Sequence, residues 1–101
     1  MKVTVKLGEP LKSAVGQRTV VLELGEGATV ADALAALAES HPGFEERFYR
    51  REGDNPYLVF LNDDQVKLEE SSGRPLGEGD RLFIFLPVAG GTVAKVGSGV
   101  L

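Results

Sequence analysis

Side-chain catalysis has few starting points in this chain. Its 101 residues contain one histidine, His41, and no cysteine. That removes a catalytic thiol, thiolate zinc sites, cysteine-ligated clusters and disulfide scaffolds together. Ser13 or Ser40 could be paired with His41 as nucleophile and base. However, His41 falls at the end of an apolar helical stripe, where an imidazole packs and complements the helix dipole, and the structural role is the better reading. Asp63-Asp64 and Glu69-Glu70 bring carboxylates together, yet they lack the alternating ligands and closing glutamate of a calcium loop. They read as solvated loop charge. Gly25-x-Gly27, Gly77-x-Gly79 and Gly97-x-Gly99 continue into neither a dinucleotide fingerprint nor a phosphate-loop lysine, and read as turns.

The segment Pro87-Val88-Ala89-Gly90-Gly91 offers main-chain chemistry instead. A proline stops a sheet, and a diglycine without Cβ atoms makes a thin, extended arm. Such an arm can enter a narrow channel and approach a nucleotide phosphate or a partner's active site where a larger residue would collide. A plain flexible linker has the same composition, so the arm alone leaves both readings open. Ten residues follow Gly91, carrying a single charge at Lys95.

The elements that must position this arm follow from periodicity. Val3, Val5 and Leu7 alternate with Lys2, Thr4 and Lys6, which predicts a strand with one buried face. A second strand is expected over Arg18 to Leu24, with Val20, Leu22 and Leu24 inward, antiparallel to the first across a polar hairpin loop from Gly8 to Gln17. Thr29 with Asp32 forms an aspartate version of the capping box, and Val30, Leu34, Leu37 and His41 mark the buried stripe of a helix that Pro42-Gly43 ends. Phe44 and Phe48, four apart, predict a short second helical turn pinned to the core. Tyr57 to Leu61 is apolar on both faces, as an interior strand should be. A turn at Asn62-Asp63-Asp64 leads to a short edge strand at Gln65-Val66-Lys67, then a loop from Leu68 to Gly79, and a final strand from Arg81 to Leu86.

This order of elements in one small chain is the β-grasp pattern, an α+β layer with a mixed sheet and one main helix on one face. The first and last strands are expected to lie side by side, parallel, at its centre. Strand parity then sends Leu82, Ile84 and Leu86 toward the helix and leaves Phe60, Phe83 and Phe85 together on the open face. An uncovered aromatic cluster marks a partner-docking site. A homodimer face and a covered second core are the alternatives.

With 43% hydrophobic and 26% charged residues, the chain has enough apolar content for one packed core and too little length for two. A formal net charge of −4 argues against a nucleic-acid partner. The alternating N-terminus and the lack of a long apolar run argue against a membrane partner and point to a cytoplasmic protein.

Leu86-Pro87-Val88-Ala89-Gly90-Gly91, preceded by Gly79 to Phe85, resembles the C-terminal signature of the MoaD/ThiS family of ubiquitin-like sulfur carriers. Val59-Phe60-Leu61-Asn62-Asp63 is similar to the family's strand and Asn turn. Pro75 to Asp80 is similar to its approach to the last strand, and Thr29 to Leu34 to its helix start. The likeness runs from Lys2 to Gly91. It departs at Leu86, where many relatives have a second proline, and in the ten residues after Gly91.

The resemblance implies a carrier domain over residues 1–91 and a flexible or removable extension over 92–101. It implies a non-catalytic chain that binds no cofactor. The Gly91 carboxylate would be adenylated with ATP by a ubiquitin-activating-type adenylyltransferase and converted to a thiocarboxylate by a sulfur donor. The sulfur would pass to an acceptor enzyme such as a molybdopterin synthase large subunit or another sulfur-using synthase. Molybdopterin, thiamin, cysteine and tRNA pathways all stay open. Because a peptide bond at Gly91 leaves no free carboxylate, a JAMM-type protease would remove the extension first. The competing reading is a noncovalent β-grasp interaction module that keeps its tail.

Overall fold

The computed structural model describes residues 1–50, 53 and 55–87. The expected arm residues Val88, Ala89, Gly90 and Gly91, and the extension over 92–101, lie outside the described residues. Strand β1 (Lys2–Leu7) buries Val3, Val5 and Leu7 and exposes Lys2 and Lys6, as the alternation requires. It pairs antiparallel with β2 (Thr19–Glu23), where Val20 and Leu22 are buried. Leu24 falls just past β2. It is partly buried, and its N–H donates to the Met1 carbonyl at 2.8 Å.

The final strand, β5 (Arg81–Phe85), lies between β1, to which it is parallel, and β3 (Leu58–Leu61), to which it is antiparallel. With the edge strand β4 (Asp64–Gln65), the sheet order is β2-β1-β5-β3-β4, which contains the central parallel pair the sequence predicts.

Helix α2 (Val30–Ser40) starts at a complete capping box. The Thr29 Oγ1 accepts from the Asp32 N–H, and the Asp32 carboxylate accepts from the Thr29 N–H at 2.9 Å, satisfying donors that the first turn leaves free. Val30, Leu34 and Leu37 are buried with Ala33, which lies on the same stripe. The last turn feeds α3 (Pro42–Phe44), with Pro42 at its first turn where a missing N–H costs nothing. A π-helical turn over Glu45–Tyr49 follows. Phe44 and Phe48 are both fully buried, stacked with centroids 4.8 Å apart. Each fully buried side chain of this size contributes about 1.5–3 kcal/mol through the area it removes from water.

Four local expectations need correction. The segment from Gly8 to Gln17 is more than a polar loop, because it contains helix α1 (Leu11–Val15) with Leu11 fully buried. The Glu9 carboxylate steadies α1 by accepting from the Ser13 N–H at 3.0 Å and the Ser13 hydroxyl at 2.9 Å. The edge strand β4 is Asp64–Gln65, one residue earlier than Gln65-Val66-Lys67, although the Val66 N–H still donates to the Val59 carbonyl at 2.8 Å. The stretch after Leu68 winds into a 3₁₀-helix (Leu68–Gly73) that buries Ser71, whose hydroxyl donates to the Leu68 carbonyl. Finally, β5 ends at Phe85, one residue short of Leu86.

Candidate functional site

Outward residues of β3 and β5 build the candidate site. Phe60 lies directly across from Phe83, and Leu58 from Phe85. Phe85 is the hub of the three expected rings, with its centroid 4.7 Å from Phe83 and 5.8 Å from Phe60. Offset ring pairs at these distances add about 0.5–1.5 kcal/mol beyond the area they bury. Phe60 and Phe85 are half-buried by this stacking, whereas Phe83 is 44% exposed, so no described element covers it.

The hub depends on a glycine just beyond β1. The Gly8 N–H donates to the Ile84 carbonyl at 2.9 Å, and a Cβ on Gly8 would lie 2.7 Å from the Cβ of Phe85. Only a residue without a side chain lets the two chains run this close.

The start of β5 is clamped by Asn62. Its φ of 56° is left-handed backbone, which asparagine tolerates better than most residues. Its Oδ1 accepts from the Arg81 N–H at 3.2 Å, its Nδ2 donates to the Asp80 carboxylate at 3.3 Å, and its own N–H donates to the Arg81 carbonyl at 2.8 Å. Asp80 closes the preceding turn by accepting from the Gly77 N–H at 2.8 Å, while Gly79 takes a φ of 82°. The Asn turn and the Gly77-Glu78-Gly79-Asp80 approach thus work together to hold the strand that leads to the arm. Of that arm the structure describes only Pro87, which is exposed.

A ring of cations around Phe83 was not singled out from sequence. A groove of about 370 Å³ passes beside Phe83, lined by Lys6, Arg18 and Arg81, with Asp63 as its carboxylate. Register shows how they meet: Lys6 is level with Phe83 on the neighbouring strand, and Arg81 precedes Phe83 by two on the same face. The alternation of β1 held this signal, but it becomes a cluster only once the β1–β5 register is known.

The weaker chemical candidates take structural places. His41 is half-buried at the C-cap of α2, and does not complete the buried stripe as expected. Its Nδ1 lies 2.9 Å from the Ser40 Oγ. The same hydroxyl lies 3.0 Å from the Ala36 carbonyl, the back-bonding position of a serine in the last turn of a helix. The Ser13 hydroxyl is held by Glu9. Among the described residues no three His, Asp or Glu side chains gather as a metal site would need, and no helix is long and apolar enough to cross a membrane.

A mixed five-stranded sheet gripping one main helix, with the last strand at its centre, defines a β-grasp, ubiquitin-like protein. A model of the ThiS family matches residues 5–91, and the chain belongs to that family. It is 38% identical over 88 residues to small archaeal modifier protein 1 of Haloferax volcanii, covering 85% of this chain and 97% of the relative. The crystal structure of that Haloferax protein superposes with a TM-score of 0.75 at 32% identity, over 88% of this chain and 98% of the other. A putative molybdopterin converting factor, subunit 1, from Pyrococcus furiosus gives 0.72 at 30% identity, over 87% and 99%. A chain of the Amycolatopsis orientalis BexX/CysO complex gives 0.66 at 27% identity, over 86% and 97%. The likenesses are thus to a small modifier, to one subunit of a converting factor and to a member of a protein complex.

Proposed function

We propose that this chain is a ubiquitin-like sulfur carrier whose working atom is the carboxylate of Gly91, exposed when residues 92–101 are removed. The observation that carries the reading is the coincidence of a family match ending at Gly91 with a central, doubly paired β5 that leads into the arm beside an open aromatic face. The Gly91 carboxylate attacks the α-phosphorus of ATP on a partner adenylyltransferase, pyrophosphate leaves, and an acyl-adenylate forms. A sulfur nucleophile from the donor then displaces AMP and leaves a thiocarboxylate. Activation is needed because a carboxylate is a poor acyl donor and AMP a good leaving group. The chain contributes positioning, as group carriers do, and the nucleotide site belongs to the partner.

Phe60, Phe83 and Phe85 serve as the docking surface, and the arm of Pro87, Val88, Ala89, Gly90 and Gly91 enters the partner's site. An acceptor synthase takes the sulfur afterwards, and a JAMM-type protease provides the cut after Gly91. The setting is cytoplasmic. The relative from Amycolatopsis, found within a complex, supports a life spent docking to other proteins.

The test uses a version ending at Gly91, incubated with ATP, the adenylyltransferase of the same organism and a sulfur source. Intact mass should rise by the replacement of one oxygen with sulfur, while the full-length chain stays unchanged. If the truncated form gains no sulfur, and the protein isolated from its source organism still ends at Leu101, the noncovalent interaction module replaces the carrier.

A further inference from the structure

The acidic balance of the chain is unevenly distributed over the fold. Its net charge is −4, and the helical layer formed by α2, the π-helical turn and the 3₁₀-helix carries Asp32, Glu39, Glu45, Glu46, Glu69 and Glu70 against Arg47 and the capping residues Arg50, Lys67 and Arg74, an acidic excess. The open face is opposite in sign. Lys2 and Lys6 project from β1 and Arg81 from β5, Arg18 stands just before β2, and the carboxylates on this side are Glu23 of β2, Asp63 in the groove and Glu9 near Arg18. Among the described residues the salt bridges are Arg50–Glu45 and Arg74–Asp64, so Lys6 and Arg81 are in no ion pair within 4 Å, while Arg18 stands near Glu9 without forming one. Those three line the groove beside exposed Phe83. An apolar anchor with a charged rim is the anatomy of a recognition site, in which the anchor supplies affinity and the rim selects and steers the partner.

We propose that the open face is a charge-selective dock for an acidic protein surface. The partner presents an apolar contact to Phe83 and Phe85, rimmed by aspartate or glutamate side chains that meet Lys6, Arg18 and Arg81. The opposite sign of the helical layer orients the molecule during approach, turning its sheet toward the acidic surface before contact. The same cations repel a basic surface of equal shape, so the rim sorts partners that the aromatic rings alone accept equally. This inference rests on the carrier reading for its choice of partner, the adenylyltransferase.

The experiment titrates the full chain against that enzyme from the same organism by calorimetry, at about 0.05 M and about 0.5 M NaCl, where screening lengths differ roughly threefold. Affinity should fall about tenfold or more at high salt. Lys6→Glu/Arg81→Glu should reproduce that loss at low salt, and Lys6→Gln/Arg81→Gln should give part of it. Arg47→Glu, a change of equal sign on the helical layer, should leave affinity within about twofold, because a remote charge acts only through the screened field.

Several outcomes overturn the proposal. Binding that ignores salt and both double variants, yet is lost in Phe83→Ala, means an apolar dock without charge selection, and the carrier reading survives. An equal loss in Arg47→Glu means that total charge matters and the face does not. Self-association in sedimentation that the double reversal abolishes, or capture of a labelled RNA oligonucleotide at the same residues, assigns the rim to a second copy or to nucleic acid. Failure of both the full chain and the version ending at Gly91 to bind an enzyme active on another carrier overturns the carrier reading, and this partner assignment with it.

Discussion

Two aromatic clusters in this molecule have nearly the same ring geometry and opposite surroundings. Phe44 and Phe48 stack at 4.8 Å with planes 15° apart, joined by Tyr57 at 5.6 Å from Phe48, and all three are buried. Phe83 and Phe85 stand 4.7 Å apart at 30°, joined by Phe60, but on the uncovered side of the sheet. Phe44 and Phe48 come from helical turns and fold inward over the core, Tyr57 joins them from the segment before β3, and Tyr49, 5.1 Å from Phe48, edges the cluster at the surface. Those of the second alternate along β3 and β5 with Val59, Leu61, Leu82 and Ile84, all of them buried. Ring contacts alone therefore do not say what a cluster is for. What lies on the far side of the rings does: solid protein in one case, solvent and three cations in the other.

The comparison predicts separable losses. The largest is for Phe44→Ala, which should cost about 3–5 kcal/mol in denaturant unfolding, because a fully buried ring leaves a cavity that its neighbours only partly fill. A loss under ~1 kcal/mol would mean the inner cluster is no more structural than the outer one. Gly8→Ala comes next. The new methyl meets the Phe85 Cβ, β1 and β5 must shift apart, and the cost should be about 1–3 kcal/mol, as for other overpacked sites. Since the shift moves the hub of the open cluster, partner affinity should fall in the same variant, whereas Gly8→Ala with unchanged affinity would disconnect Phe85 from docking.

Phe83→Ala should cost about 0.5–1.5 kcal/mol in unfolding, the value of its ring contact with Phe85, while lowering partner affinity by about 2 kcal/mol as a buried anchor does. Unfolding without a separate binding defect would turn the open cluster into a second core. Phe83 serves this test better than Phe85, whose half-burial in the stack mixes the two effects.

The smallest effect concerns Glu9, the residue after Gly8. The Ser13 side-chain hydrogen bond, followed by the Ser13 N–H, lowers its pKa below the ordinary glutamate range. A lowered folded-state pKa gives stability that is present above the unfolded value and is lost as pH falls through the folded one. Glu9→Gln should therefore melt slightly below wild type near neutral pH and converge with it under acid. A gap that persists unchanged at low pH would assign the difference to something other than this carboxylate.

Much of the fold was legible because its signals are local. The period of two in β1, the Thr29–Asp32 box and the five-residue apolar run before Asn62 each identify an element without reference to the rest. The outward placement of Phe60, Phe83 and Phe85 followed from strand parity alone. Helix α1 was not legible, since Leu11 and Val15 are its main apolar residues and Pro10 and Gly16 bracket them as they would a loop. The 3₁₀-helix was hidden for a related reason: Glu69-Glu70-Ser71-Ser72 has no apolar period, and Ser71 is buried by virtue of its bond to Leu68, not by its own hydrophobicity. The cationic rim needed the pairing of Lys6 with Phe83, a relation between residues 77 apart in sequence, which no local pattern encodes.

The parallel pairing of β1 with β5 also determines how the protein meets force. Tension applied between Met1 and Pro87 pulls the start of β1 and the end of β5 in opposite directions along their common axis. The evenly spaced, slanted hydrogen bonds of that ladder are then loaded together in shear, and none can open before the rest. A pull on β4 at the sheet's edge would instead peel its short ladder one bond at a time. A machine that grips residues beyond Pro87 and hauls against an anchored N-terminus therefore finds the strongest seam of the domain directly in its path. The last strand is a mechanical clamp, and a partner can draw the arm taut without unravelling what it is attached to.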